Sequence, residues 1–295
     1  MSPCRLILSD MNTSPATVTQ ANKLIEASYQ LSLAEKRVLL ALLSQIKSHP
    51  DAEPITPLTP LTITAGGIAD LVSIPVDQAY QLLEAAVERF AERWVTIDNP
   101  DPEDLDLVRT RTRWVTAIDY RPGRGELRTY LAPKIIPYVT QLSSEFTQYR
   151  LKFVAQMTSV YAIRLYELLV QWQSEGEREV DIDWLKEQFQ IVGKYPRMYD
   201  FKKRVLQPAV DEINKYSNLW VRWGQRKSGR QVVALQFQFG IKESKEAQNA
   251  KVGIDGERPR KLTRNEIARL ARPGESWEQA EARLRTTRTK PPPTK

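Results

Sequence analysis

Apolar positions along this chain of 295 residues recur first at helical and then at strand spacing, and that order repeats. From Ser32, the pattern Ser-x-x-Glu (Ser32, Glu35) marks a capped helix whose residues Val38, Leu39, Leu42, Leu43 and Ile46 return every 3.6 positions. One face of that helix packs inward. The proline-rich stretch 50–60 reads as a loop, 61–64 as a short strand and 65–71 as a helix. A further helix is predicted from Asp77, as N-cap, through Leu82, Leu83, Ala86, Val87 and Phe90 to about residue 93. Strand runs follow at 94–97 and 113–120, divided by an acidic, proline-bearing loop at 99–106, and then at 126–131 after Arg121-Pro122-Gly123-Arg124-Gly125. Helices followed by a hairpin form the order of a winged helix.

The order then returns. Residues 158–173 predict an amphipathic helix with Tyr161, Leu165, Leu168 and Trp172 on the packed face and Arg164, Glu167 and Gln171 on the wet one. A short strand at 180–182 precedes a helix capped by Asp183 and carrying Trp184, Leu185 and Phe189, and Gly193 closes it. After Tyr195-Pro196 a third helix starts near Tyr199, with Phe201, Val205, Leu206, Val210 and Ile213 on its inner side. Pro208 should kink it, because proline lacks the backbone donor and its ring clashes with the carbonyl of Arg204. Strands at 219–225 and 231–239 share an inward parity through Val221, Trp223, Val233, Leu235, Phe237 and Phe239, turning at Ser228-Gly229. The two halves share architecture without a sequence period, so the fold class is α+β: two tandem winged helices and a tail. The expected division is an N-terminal extension at 1–17, a first unit at 18–143, a second at 144–240 with 144–154 bridging them, and a basic, partly helical or disordered tail at 241–295 with a Thr-x-x-Glu box at Thr263 and Glu266.

Charge separates the halves. The whole chain nets +7, yet residues 51–106 net −10 and residues 107–240 net +9, of which 191–230 alone hold +7. The tail nets +6 and would add salt-sensitive attraction to polyanions. Within 191–230 the cations fall on the two elements by which a winged helix meets duplex DNA, the third helix and the wing. Lys202, Lys203 and Arg204 lie in the helix, preceded by Lys194, Arg197 and Tyr199, and the wing carries Arg222, Arg226, Lys227 and Arg230. Lys and Arg reach guanine O6 and N7 or phosphates. The first unit is a poorer complement, since Asp77, Glu84, Glu88 and Glu92 sit in its third helix against Arg89 and Arg93, leaving auxiliary contact to those two or to Arg109, Arg111 and Arg113. Its apolar hairpin and low positive charge suggest self-association instead.

Several chemistries are excluded or left without support. One cysteine, Cys4, allows no internal disulfide and no all-cysteine zinc site; one histidine, His49, cannot supply a paired-histidine metal centre or a His-x-x-Arg recombinase element. No Gly-x-x-x-x-Gly-Lys-[Ser/Thr] loop occurs, and acids such as Asp181 and Asp183 read as helix caps before they read as magnesium ligands. The expectation is therefore a soluble, cytoplasmic, non-enzymatic DNA-binding protein without cofactor or membrane span, and a plain transcriptional regulator shares that description.

The run Tyr161-Ala-Ile-Arg-Leu-Tyr-Glu-Leu-Leu169, with Tyr199-Asp-Phe-Lys-Lys-Arg-Val-Leu206, Pro208 and Glu212-Ile-Asn214, resembles the iteron-binding plasmid replication initiators of the RepE, RepA and π-protein type, as does Val18-Thr-Gln-Ala-Asn-Lys-Leu24 with Leu33-Ala-Glu-Lys-Arg-Val38. The resemblance implies a monomer that binds repeated double-stranded sites at an origin and helps open it, and a dimer, joined through the first unit, that represses its own gene. It also implies host partners: an initiator protein, the replicative helicase and Hsp70-type chaperones. The recognition-helix cations of the family fall here on Lys202, Lys203 and Arg204.

Overall fold

The computed structural model describes residues 16–101 and 103–242, without the side chain of Glu88. Cys4 and nearly all of the expected extension and tail, including Thr263 and Glu266, lie outside the described residues.

The chain opens with strand β1 (Thr17–Ala21), helix α1 (Asn22–Ile25) and strand β2 (Ser28–Tyr29), and then enters helix α2 (Leu33–Leu43). The capping box that starts α2 is formed as expected: the Glu35 N–H donates to Ser32 Oγ at 3.2 Å, and the Ser32 N–H donates to Glu35 Oε2 at 2.6 Å. Strand β3 (Pro60–Thr64) leads into α3 (Ala65–Val72), whose first turn is capped by Thr64 Oγ1 accepting from the Gly67 N–H at 3.1 Å. Helix α4 (Val76–Phe90) starts one residue before the expected Asp77 cap. Pro75 takes the N-cap position in an extended conformation and leaves Asp77 in the first turn, where its charge complements the helix dipole.

The strand expected at 113–120 divides in two. Strand β4 (Trp94–Asp98) pairs with β5 (Arg109–Arg113) and with β2, whereas β6 (Val115–Arg121) pairs with β7 (Glu126–Leu131), which also pairs with β3. The break falls at Trp114, whose indole is fully buried and packs edge-on against Tyr29 with ring centroids 5.0 Å apart. The β6–β7 turn closes at Gly125 with φ +54°, and a Cβ there would stand 2.5 Å from the Tyr80 ring.

Strand β8 (Phe146–Arg150) then returns to pair antiparallel with β1, and α5 (Lys152–Ala155) follows, so the expected bridge at 144–154 is built into the fold. The chain continues through α6 (Val160–Val170), β9 (Glu177–Asp181), α7 (Ile182–Gln188), α8 (Met198–Phe201), α9 (Gln207–Tyr216), β10 (Leu219–Ser228) and β11 (Gln231–Ile241), the second run of helices and hairpin. Its sheet order is β10-β11-β9. Asp181, and not Asp183, caps α7: its Oδ1 accepts from the N–H groups of Asp183 and Trp184 at 2.9 and 3.0 Å. A π-turn at Lys202–Leu206 joins α8 to α9, so Pro208 is absorbed without ending the helix. No helix among the described residues is long and apolar enough to cross a membrane.

The largest departure from expectation is α6. Arg164 and Glu167, expected on its wet face, are 3% and 0% exposed, while Trp172, expected on the packed face, is 40% exposed. The reason is a second layer: the supposed outer face of α6 is covered by α1, α2, β1 and β8. Lys36 on α2 places its Nζ 2.9 and 2.8 Å from the two Glu167 oxygens and 2.8 Å from Tyr29 Oη. Tyr149 Oη donates to Glu167 Oε1 at 2.6 Å, and Gln20 Nε2 does so at 3.1 Å. Arg164 places its Cζ 4.0 Å from the Tyr29 ring centre and donates to the carbonyls of Ile25 and Ala27 and to Tyr29 Oη. Arg178 to Glu26 at 2.8 Å and Ser28 Oγ to the Glu187 carbonyl at 2.8 Å tie residues 26–28 to β9 and α7.

Burial alone would raise the Glu167 pKa, but the Lys36 ammonium and the Arg164 guanidinium outweigh it and hold the carboxyl below its ordinary range. A carboxyl depressed on folding contributes stability in full above the ordinary glutamate pKa, and that contribution disappears as pH falls through the folded value. Glu167→Gln is expected to cost about 3–5 kcal/mol at pH 7, because it leaves buried cations uncompensated. Urea unfolding across pH 3 to 7 checks this: the variant should also lose part of the acid destabilisation below about pH 4. A variant with wild-type midpoints at both ends would show that the pair does not hold α6 in place.

Candidate nucleic-acid interface

The third helix of the second winged helix is positioned from three sides. Behind it, Phe201, Val205, Leu206, Ala209, Val210 and Ile213 are buried. At its far end, Asn214 completes the start of β10, its Oδ1 accepting from the Val221 N–H at 2.7 Å and its Nδ2 donating to the Val221 carbonyl at 2.9 Å. Glu212 reaches back to α6, accepting from the N–H of Thr158 at 2.8 Å and of Ser159 at 3.1 Å. That carboxylate serves α6 as a cap in place of its own N-cap Ser159, which makes no side-chain cap bond. Toward the wing, Trp223 Nε1 donates to Gln207 Oε1 at 3.1 Å, and the Lys202 ammonium bonds the Gln225 side-chain oxygen while lying 5.7 Å from the Trp223 ring centre.

These ties sort the expected contact residues. Lys202 is half-buried and turned to the wing. Lys203 and Arg204 are exposed, as are Tyr199, 66% exposed, and Gln207 and Asp211 on the turns that follow. Lys203 Nζ lies 5.8 Å from the Tyr199 ring centre. Arg197 is held by Asp200 at 2.7 Å, and Lys194 is exposed in the preceding loop. On the wing, strand parity places Trp220, Arg222, Gly224 and Arg226 opposite Val221 and Trp223, hence on the sheet face away from the helix. There Arg222 stacks on Trp220 at 5.1 Å, and Arg226 pairs with Glu179 at 2.8 Å. Hydrogen bonds from Arg226 and Gln236 hold the Glu179 carboxyl below its usual range. That face also carries an open hollow lined by Glu175, Glu177 and Glu179 beside Arg222, a mixture that phosphates avoid. At the tip, Gly229 turns the chain with φ +60°, and Lys227 and Arg230 are exposed. A register shift between Arg226 and Lys227 re-aims the last residues of β10.

The first unit's cations are mostly committed to its own fold. Arg93 donates to the buried Glu35 at 2.9 Å, and Arg109 pairs with Asp98 at 2.6 Å. Arg111 and Arg113 stack over Trp94 at 4.5 and 4.4 Å, and Arg113 also donates to the Ala91 carbonyl. Arg89 is exposed on α4 near exposed Asp77, Glu84 and Glu92; the Glu88 side chain is outside the described set.

Comparison with known proteins then supplies the deciding observation. Residues 17–170 match the family model "Initiator Replication protein, WH1", and residues 181–239 match "Initiator Rep protein, WH2". The chain belongs to the initiator replication protein family. Curated relatives of this initiator include an Escherichia coli "Replication initiation protein", 24% identical over 83% of this chain and 77% of that protein, and an E. coli "PI protein", 26% identical over 80% and 86%. The solved "Crystal structure of Pi initiator protein in complex with iteron DNA" covers 78% of this chain and 99% of its own, at 24% identity and a TM-score of 0.66, a likeness of fold.

For this initiator, sequence reading missed Gln207 and Asp211, although Tyr199, Lys203, Gln207 and Asp211 are spaced by four and all exposed. It also left Glu212 and Asn214 without a role, and both are braces of the third helix. Asn214→Ala is expected to lower stability by about 1–3 kcal/mol through the orphaned Val221 amide. Hydrogen exchange at that amide should quicken accordingly; unchanged protection would count against the brace.

Proposed function

We propose that this initiator binds directly repeated sites in duplex DNA at a plasmid origin, helps to open the origin, and does so by binding without catalysis. The observation that carries the reading is a convergence of exposed cations: others such as Lys47, Arg89 and Arg150 are also outside any ion pair but lie singly on separate segments. Among the described residues, Lys194, Lys203, Arg204, Lys227 and Arg230 take part in no ion pair, and all five lie on the third helix, the loop before it, or the wing tip of the second winged helix. Arg93, Arg109, Arg197 and Arg226 are in ion pairs. In this reading Lys203 and Arg204, with Tyr199 and Gln207, address base edges and sugar-phosphate along the major groove. Lys194, Lys227 and Arg230 neutralise phosphates. Lys202, Arg197, Arg222 and Arg226 act one step back, shaping the helix and the wing.

The iteron complex of the Pi initiator supports repeated sites as the ligand, and the relatives' names favour replication over plain transcriptional control. The division of labour that follows gives main DNA binding to residues 144–240. Residues 18–143 supply dimerisation and auxiliary contact through Arg89 and the exposed planes of Arg111. Autorepression as a dimer, and contacts with a host initiator protein, the replicative helicase and Hsp70-type chaperones in the cytoplasm, belong to the same proposal.

The test uses the full chain and a duplex enriched by it from a randomised pool. Lys203→Ala with Arg204→Ala should weaken binding to the enriched duplex on the order of a hundredfold while changing affinity for scrambled DNA far less. Lys227→Ala with Arg230→Ala should weaken both duplexes alike and flatten the salt dependence by up to about one unit of slope per cation. Retained discrimination in the first pair would remove the helix from recognition. Sedimentation of the full chain over a broad concentration range addresses the dimer, which is expected to dissociate on dilution; a single monomeric species throughout would refute it.

A further inference from the structure

The π-turn in the third helix stands where the helix changes from structural to DNA-facing duty. The Gln207 N–H bonds the Lys202 carbonyl, five residues back, and the next residue is Pro208, which has no N–H to offer. In a regular α-helix the proline ring would collide with the carbonyl of Arg204; a turn widened by one residue relieves that collision without breaking the helix.

The widened turn has a rotational consequence. Buried Ile213, Val210 and Ala209 fix the inward line of α9. Counting back from Ile213 at 3.6 residues per turn, an uninterrupted helix would bring about residues 206, 202 and 199 onto that line. Lys202 would then be driven into the core, and Phe201 would swing off it by about 100°. The observed pattern is the reverse: Phe201 is fully buried, Lys202 is half-buried against Gln225, and Tyr199, Lys203 and Arg204 are exposed. One extra residue in the turn therefore reconciles the apolar line of the C-terminal half with an outward-facing cationic N-terminal half. The hydrogen bond from Trp223 to Gln207 and the one from Lys202 to Gln225 pin the turn at both ends to β10.

We infer that the π-turn held by Pro208 sets the rotational register in which Tyr199, Lys203 and Arg204 face the bases, so that Pro208 is a positioning residue for sequence discrimination. The inference rests on the third helix being the reading element. Discrimination is the quantity at stake: a rotation by one residue moves each side chain's reach from one base edge to its neighbour or to the backbone, while the net charge that governs non-specific binding stays the same.

The experiment measures the ratio of affinities of the full chain for the enriched duplex and for its scrambled counterpart. Deleting Lys202 removes the extra residue and with it the widened turn, keeping Phe201 inward and leaving Pro208 to bend the helix; Lys202→Ala removes the same side chain and leaves the turn. Deletion should cut the ratio at least about tenfold below that of Lys202→Ala, with helical circular dichroism and scrambled-DNA affinity matching that control. Pro208→Ala, which restores the missing donor, should lower the ratio several-fold at an unchanged salt slope. The inference is overturned if a folded deletion variant keeps the ratio of Lys202→Ala, or if Pro208→Ala keeps that of the wild type; should the deletion variant fail to fold, Pro208→Ala decides alone. Lys203→Ala with Arg204→Ala separates the two ideas. If that pair leaves the ratio intact, the helix is not the reader; if it lowers the ratio while the register variants do not, only the register fails.

Discussion

A carboxylate with no exposed surface, Glu167, fastens α6 to the strands and helices at the start of the described chain. Its partners come from four different elements, Lys36 on α2, Tyr149 on β8, Gln20 on β1 and Arg164 on its own helix, and each is placed by a strand pairing or a helix that must already be formed. An ion pair taken out of water is a weak source of net stability, since desolvation offsets most of the attraction. Its strength is as a constraint: any arrangement of α2 and α6 that separates Lys36 from Glu167 leaves two charges in a low-dielectric interior. The placement of α6 against α2, β1 and β8 is therefore specified by chemistry that tolerates little sliding.

That constraint gives the cations of the chain two distinct roles. Lys36, Arg164 and Arg178 lie inward at the junction, and Arg93 clasps the capping carboxylate Glu35, so these charges serve the fold. Lys203, Arg204, Lys227 and Arg230 lie outward on a helix and a turn that are themselves braced by Asn214, Glu212 and the Trp223 to Gln207 bond. Long, flexible side chains on a rigid mounting keep less conformational freedom to lose on any association.

Local chemistry was readable from the residues alone and distant chemistry was not. The Ser32–Glu35 box, the outline of both hairpins and the inward line of the third helix follow from short-range capping and periodicity, and the structure contains them. Helix α6 defeats the same reasoning. Its Arg164 and Glu167 look like a solvated stripe because a periodicity argument assumes that a helix has one buried face, and α6 has two layers against it. The partners that make those charges tolerable stand more than a hundred residues away in sequence, in Lys36 and Tyr29. The turn at Lys202–Leu206 is an intermediate case: Pro208 announces a disturbance, but whether the chain kinks or widens depends on where Phe201 and Ile213 must both point. Among the candidate contact residues, consecutive numbering made Lys202, Lys203 and Arg204 look equivalent, whereas helical rotation assigns Lys202 to the wing and the other two to solvent.

The pairing of β1 with β8 bears on how the molecule can be divided. The strand that opens the described chain is hydrogen-bonded to one that lies beyond the first wing, so the first winged helix is fastened at its start by residues that follow its last strand. A fragment ended just after residue 143 would forfeit that partner strand, expose the edge of β1 and leave the Lys36 ammonium facing a void where Glu167 stood. Such a piece would differ in both edge chemistry and core charge from the same residues in the whole chain. Association observed in it would report on the cut as much as on the native surface. The natural unit for physical study is therefore the pair of winged helices together, divided nowhere between Thr17 and Ile241.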